Sequence, residues 1–133
     1  MNRFEEARLS TMSPAEIASA LFGAMNARDP AAFAALLAEG AVFHFPGTEP
    51  IEGAARIEKF VKILFFKYPA LAFRPGRVIC DDHRAAVEWT NEGASRDGAP
   101  YRNAGVTVIE LDADGRVAYL SDTFKDTSFA IRQ

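Results

Sequence analysis

The sequence predicts an α+β domain: one strongly curved antiparallel sheet packed on three N-terminal helices. Two observations carry the prediction. Apolar residues recur at helical spacing only in the first half of the chain, up to about residue 67, and from Leu71 onward they alternate in runs rich in β-branched and aromatic residues. The helical and extended segments are also segregated along the chain, the order of an α+β domain rather than of repeated βαβ units.

The elements follow in order. Residues 1–12 show no period, so 1–13 is expected to be a loose N-terminal tail. Ser13-Pro14-Ala15-Glu16 is a helix start, with Ser as N-cap, Pro in the first turn and Glu placed to close a capping box. Ile17, Leu21, Phe22 and Met25 then mark an amphipathic helix over 14–27. Asp29-Pro30 opens a second, short helix, with Phe33, Leu36 and Leu37 as its stripe and its end near Gly40. Ala41–Pro46 reads as a strand, Pro46–Pro50 as an exposed loop, and 53–67 as a third helix ended by Pro69. In Leu71–Cys80, Pro75-Gly76 predicts a bulge and an edge position. Arg84–Glu92 carries Val87, Trp89 and Asn91 on one face. A hairpin follows, 101–111 and 116–125, turning at Asp112-Ala-Asp-Gly115. The domain is therefore expected over 14–127, with 128–133 as a C-terminal tail.

Composition narrows the function. A chain of 133 residues with 49% hydrophobic and 25% charged residues supports one core. A net charge of -3 argues against nucleic acid as a partner. No apolar run is long enough for a membrane span, and the acidic Met-Asn-Arg-Phe-Glu-Glu start does not read as a signal peptide, so a cytoplasmic location is expected. Cys80 stands alone, expected buried and inert, and no Cys/His spacing calls for a metal. No phosphate loop and no Ser-His-Asp order is present. The chemistry left is cofactor-free proton transfer, and eleven Phe residues suit an aromatic-lined cavity.

The hairpin points to where that chemistry sits. With Leu111 facing Arg116, Thr107 pairs with Leu120, Gly105 with Asp122 and Asn103 with Phe124. Tyr101, Asn103, Thr107 and Asp122 then share one face, and Gly105 clears space beside the carboxylate. A mid-strand carboxylate on that face is not what a plain core requires.

The chain resembles the nuclear-transport-factor-2-like superfamily, in its SnoaL-like polyketide-cyclase and ketosteroid-isomerase branch. The resemblance rests on Met25-Asn-Ala-Arg-Asp-Pro30, on Ala41-Val-Phe-His-Phe-Pro-Gly-Thr-Glu-Pro50 followed by Gly53-Ala-Ala-Arg-Ile-Glu-Lys-Phe60, on Tyr101-Arg-Asn103 and on Asp114-Gly-Arg-Val117. It implies a cone-shaped sheet whose mouth is closed by helices, and a homodimer packed through the outer sheet faces. It implies that Phe43, Phe45, Tyr101, Asn103, Thr107 and Asp122 point into the cone. It also sets the chain apart from ketosteroid isomerases. Phe45 stands where they keep a general-base Asp, Leu21 where they keep an oxyanion-hole Tyr, and Thr107 near their protonated Asp.

Asp122 is thus the catalytic candidate, a carboxylate whose apolar setting raises its pKa; the competing readings are an ion pair with Arg102 or Arg116, or a residue at the mouth of the cone in water. Tyr101 and Asn103 are candidates to hold a ligand oxygen, although Asn103 serves equally well as a structural hydrogen-bonding group. Phe43, Phe45, Trp89, Asn91, Thr107 and Phe124 complete the expected pocket, with Trp89 read alternatively as core with a paired N–H. His44 alternates with Phe43 and Phe45 onto the outer face, and becomes an alternative acid/base only if Pro46 reverses it. Two functions remain open: an isomerase, cyclase or dehydratase acting on a small hydrophobic carbonyl compound, and a binding module with the same cone.

Overall fold

The structure, a computed structural model, describes residues 3–126. Four helices and six strands follow the order α1 (Arg3–Thr11), α2 (Pro14–Ala27), α3 (Pro30–Ala34), β1 (Leu37–His44), β2 (Ile51–Glu52), α4 (Ala54–Lys67), β3 (Ala72–Cys80), β4 (Arg84–Ala94), β5 (Pro100–Leu111) and β6 (Val117–Phe124). The strands form one curved sheet in the order β2-β1-β6-β5-β4-β3. Residues 128–133, expected as a tail, lie outside the described residues.

Capping chemistry sets the helices. Ser13 Oγ accepts from the Glu16 amide at 3.1 Å while the Ser13 amide donates to Glu16 Oε1 at 3.0 Å, the reciprocal pair that starts α2. Asp29 Oδ1 accepts from the Ala32 amide at 3.0 Å and starts α3. The segment Met25–Pro30 does more than join these helices. Arg28 ends α2 in the left-handed conformation, φ 57°. Its guanidinium donates to the carbonyls of Phe65 (2.9 Å) and Tyr68 (2.8 Å), tying down the end of α4. Asn26 treats β3 as a neighbouring strand would: its amide group donates to the Phe73 carbonyl at 3.0 Å and accepts from the Phe73 amide at 2.8 Å.

Several expectations are corrected. Residues 3–11 form a helix, with Leu9 buried against the core, where a loose segment was expected. The short helix stops at Ala34 rather than near Gly40, and Leu37 already belongs to β1. The reason is tertiary: the Leu36 carbonyl accepts from the Val117 amide at 2.9 Å, so pairing with β6 overrides the helical spacing of Leu36 and Leu37. That pairing of β1 with β6 runs parallel, and the other strand pairs are antiparallel. Cys80 is exposed on the edge strand β3, not buried. The break expected at Pro75-Gly76 is present as a register shift between Pro75 and Val78.

The hairpin register is offset from expectation by two residues. Thr107, not Gly105, faces Asp122, and Gly105 faces Phe124. The turn closes on Asp112 and Arg116, whose amide and carbonyl bond at 2.8 Å. Ala118 is then bulged, because Leu111 pairs with Val117 and Glu110 with Tyr119. An offset of two preserves which face each side chain takes.

The inner face of the sheet packs on the helices. Phe43, Val87, Trp89, Ile109 and Leu120 are buried against Ile17 and Leu21 of α2 and Ile57 and Val61 of α4. α2 lies over β3–β5, and α4 lies against α3 and β1. This arrangement leaves a cavity between α2, α4 and the inner face.

Candidate functional site

The cavity holds about 150 Å³ and is lined mainly by apolar side chains. Leu21 and Met25 come from α2, Phe60 and Leu64 from α4, and Phe73 from β3. Phe45 is its aromatic hub, edge-on to Phe43 (5.7 Å between centroids), Phe60 (4.8 Å) and Phe124 (5.3 Å). Against this lining stand a few polar groups: Asp122, Thr107, Tyr101 and Asn91, with Lys67 and Tyr68 at the end of α4.

Among the described residues, Asp122 is the only carboxyl on the cavity wall. Strand alternation puts it on the inner face with Leu120 and Phe124. By accessible surface it is half-buried, since it borders the cavity, yet protein surrounds it deeply. Desolvation pushes its pKa up to about 7, and a hydrogen bond from the Thr107 hydroxyl holds back part of that rise. The Thr107 Oγ1 to Asp122 Oδ1 distance is 2.6 Å. Neither Arg102 nor Arg116 contributes to the shift, so the ion-pair reading of Asp122 does not describe this environment.

Of the other expected residues, Phe43, Phe45, Asn91, Tyr101, Thr107 and Phe124 border the cavity with Asp122. Asn91 Oδ1 is buried with no hydrogen-bond partner among the described residues. Trp89, Asn103 and His44 do not border it. Trp89 is core, 3% exposed, with its N–H donated to Thr107 Oγ1 at 2.8 Å. Asn103 is consumed by structure: Oδ1 accepts from the Asp126 amide at 3.0 Å, and Nδ2 donates to the Asp126 carbonyl at 2.9 Å. It thereby ties the end of β6 to β5, and its Nδ2 also reaches the Tyr101 hydroxyl at 3.3 Å. His44 stays on the outer face, exposed and 5.3 Å from the Tyr119 ring; Pro46 does not reverse it, because alternation holds to the end of β1.

Gly105 also has a different role from the one expected. A side chain there would bring its Cβ to 2.7 Å from Trp89 Cζ2 and 2.3 Å from the Thr123 carbonyl oxygen. The glycine makes room for Trp89, its direct partner on β4, not for Asp122. Tyr68, whose ring lies 4.9 Å from that of Tyr101, was absent from the expected site. Phe60 and Phe73, which also border the cavity, were likewise absent from the expected site. In all three the sequence signal was an aromatic at an apolar position, which does not distinguish a cavity wall from a filled core.

This fold is shared widely. Among solved structures, a proposed SnoaL-like polyketide cyclase from Jannaschia sp. CCS1 superposes with a TM-score of 0.78 at 18% identity, covering 90% of this chain and 88% of that one. The epoxide hydrolase/cyclase-like enzyme SalBIII, of pyran ring formation in the polyether salinomycin, superposes at 0.75 and 19% identity, covering 86% and 92%. A proposed isomerase from Bacillus subtilis gives 0.74 at 29% identity, covering 94% and 90%. The fold is nuclear-transport-factor-2-like, as in an NTF2-like protein from Burkholderia pseudomallei that superposes with a TM-score of 0.80 at 22% identity, covering 91% of this chain and 97% of that one. The SnoaL-like domain model matches residues 18–120, and the chain belongs to that family. No curated protein matches the sequence.

Proposed function

We propose that this protein is a cofactor-free acid/base enzyme of the isomerase, cyclase or dehydratase kind, acting on a small hydrophobic molecule that carries a carbonyl or a related oxygen. The observation that carries the reading is Asp122: one carboxyl on the wall of an aromatic cavity, its pKa raised to about 7 by desolvation. Such a group exchanges a proton near neutrality at little cost to either form. Tyr101 is the group proposed to meet the substrate oxygen, since its side chain borders the same cavity and carries a hydroxyl, which accepts from Asn103 Nδ2 at 3.3 Å. The ring-forming and isomerising activities ascribed to SalBIII and to the Bacillus relative support this class of chemistry. The outer sheet face, with Ala86, Val106 and Val108 partly exposed, is proposed to pack against a second copy.

The test is deuterium incorporation next to the carbonyl of small cyclic ketones in heavy water, followed by NMR. The protein should accelerate exchange for at least one ketone, and Asp122→Asn should lower that rate by about 10²–10⁴-fold. A second reading, binding without chemistry, draws on the Phe cluster that narrows the cavity. Ketones that bind equally to both proteins with no exchange above background would select it.

A further inference from the structure

We propose that Trp89, Thr107 and Asp122 form one directed hydrogen-bond relay that fixes which oxygen of Asp122 carries its proton, holding Oδ1 as an acceptor and leaving Oδ2 to gain and lose the proton. Thr107 and Trp89 are then positioning residues, and the inference rests on the reading of Asp122 as the proton carrier.

The direction of the relay follows from elementary donor and acceptor chemistry. Trp89 Nε1 lies 2.8 Å from Thr107 Oγ1, and Thr107 Oγ1 lies 2.6 Å from Asp122 Oδ1. An indole N–H can only donate. Thr107 must therefore accept from Trp89, and its own hydroxyl hydrogen is available for Asp122 Oδ1. The reverse arrangement places the proton on Oδ1 and donates it to Thr107. The hydroxyl would then receive two donors, and its own hydrogen would lose the partner it has in a site where Thr107 is only 8% exposed. A buried donor without an acceptor is the costlier state.

The fold builds this relay across three adjacent strands. Thr107 on β5 faces Asp122 on β6 and Val87 on β4, while Trp89 faces Gly105 one inward step away. The missing side chain at Gly105 lets the indole lie close over β5, since a Cβ there would meet the ring at 2.7 Å. Among the described residues, the other titratable groups on the cavity wall are Tyr101 from β5 and Lys67 and Tyr68 at the end of α4; α2, α3, β1, β3 and β4 contribute none. Thr107 is the side chain whose hydrogen bond acts on the Asp122 carboxyl.

Infrared difference spectroscopy between mildly acidic and alkaline solution tests the relay without any substrate. The protonated Asp122 C=O stretch is identified as the band that Asp122→Asn removes. A C=O that accepts a hydrogen bond absorbs at lower frequency than one that does not. Thr107→Val should therefore shift the band to higher frequency, and Thr107→Ser should return it to the wild-type position. A band unmoved in Thr107→Val, or one that Thr107→Ser fails to restore, overturns the relay. Should Thr107→Val not fold, Trp89→Phe is the second variant. Without the indole donor the hydroxyl can either donate to Asp122 Oδ1 or accept from a proton on it, so the single band should split into two; one unchanged band overturns the relay. Absence of any protonated Asp122 band in the wild type at mildly acidic pH overturns the proposed function itself, which keeps the two failures distinct.

Discussion

At the scale of single residues, Asp122 sets how stability varies with pH. Its folded pKa, about 7, is above the roughly 3.9 of an unfolded Asp. Between those values the native state binds more protons than the unfolded state, so stability falls as pH rises through the window and levels off above it. A shift of this size corresponds to on the order of 4 kcal/mol. Asp122→Asn should therefore remove most of the decline in thermal stability between mildly acidic and mildly alkaline solution, and should melt higher than wild type on the alkaline side. Equal slopes in the two proteins, measured by calorimetry across that range, would show that Asp122 is not buried as a neutral acid. Gly105 sets a packing limit beside it. Gly105→Ala must displace the Trp89 ring and the Thr123 backbone, so urea unfolding should show a loss of about 1–3 kcal/mol or more. An unchanged midpoint would mean that the indole has room that this geometry denies it.

At the scale of elements, the α2–α3 junction ties together elements that line the cavity. Asn26 holds β3, Arg28 holds the end of α4, and Asp29 starts α3. Four sequential residues thus fix three elements to one point. Arg28 sits at φ 57°, a conformation glycine adopts more readily than arginine. If Arg28 served only as a helix C-cap, Arg28→Gly would stabilise the protein. The guanidinium bonds to Phe65 and Tyr68 are charge-assisted, worth about 1.5–3 kcal/mol each, and they outweigh the cap. Arg28→Gly should lower the unfolding free energy and raise amide hydrogen exchange at the end of α4. A more stable variant would show that the guanidinium bonds do not hold the end of α4.

At the scale of the whole molecule, helices cover the inner face of the sheet and, among the described residues, none covers the outer face. Val106, Val108 and Ala86 sit side by side on the outer face, with Val108 opposite Ala86 and next to Ser121. Charged residues border this strip: Glu88 lies opposite Val106 and pairs with Arg77 at 2.6 Å, and Arg102 and Glu110 follow the same alternation as the valines along β5. An apolar strip on an open sheet face favours self-association, because a second copy would cover it. Sedimentation at micromolar concentration should give a dimer, and Val106→Asp should convert it to monomer. A wild-type monomer under those conditions would leave the outer face as solvated surface.

The sequence by itself determined what depends on local periodicity. Capping residues located α2 and α3 because a cap is satisfied within one turn. Alternation placed Asp122, Thr107 and Tyr101 on one face and His44 on the other. Face parity has a period of two and survives a register error of two. Register itself did not follow, because it depends on how the Asp112–Arg116 turn closes and on the bulge at Ala118, and nothing in the local pattern specifies that bulge. Asn103 and Trp89 looked like ligand groups for the same reason that Asp122 did, as polar or polar-tipped residues facing inward. Only the tertiary structure separated them, by giving Asn103 the Asp126 backbone and Trp89 the Thr107 hydroxyl, while surrounding Asp122 with apolar groups and the single Thr107 hydroxyl. A hydrogen bond between strands is made by side chains far apart in sequence, and the desolvation that raises a pKa is the sum of every neighbour the fold brings near.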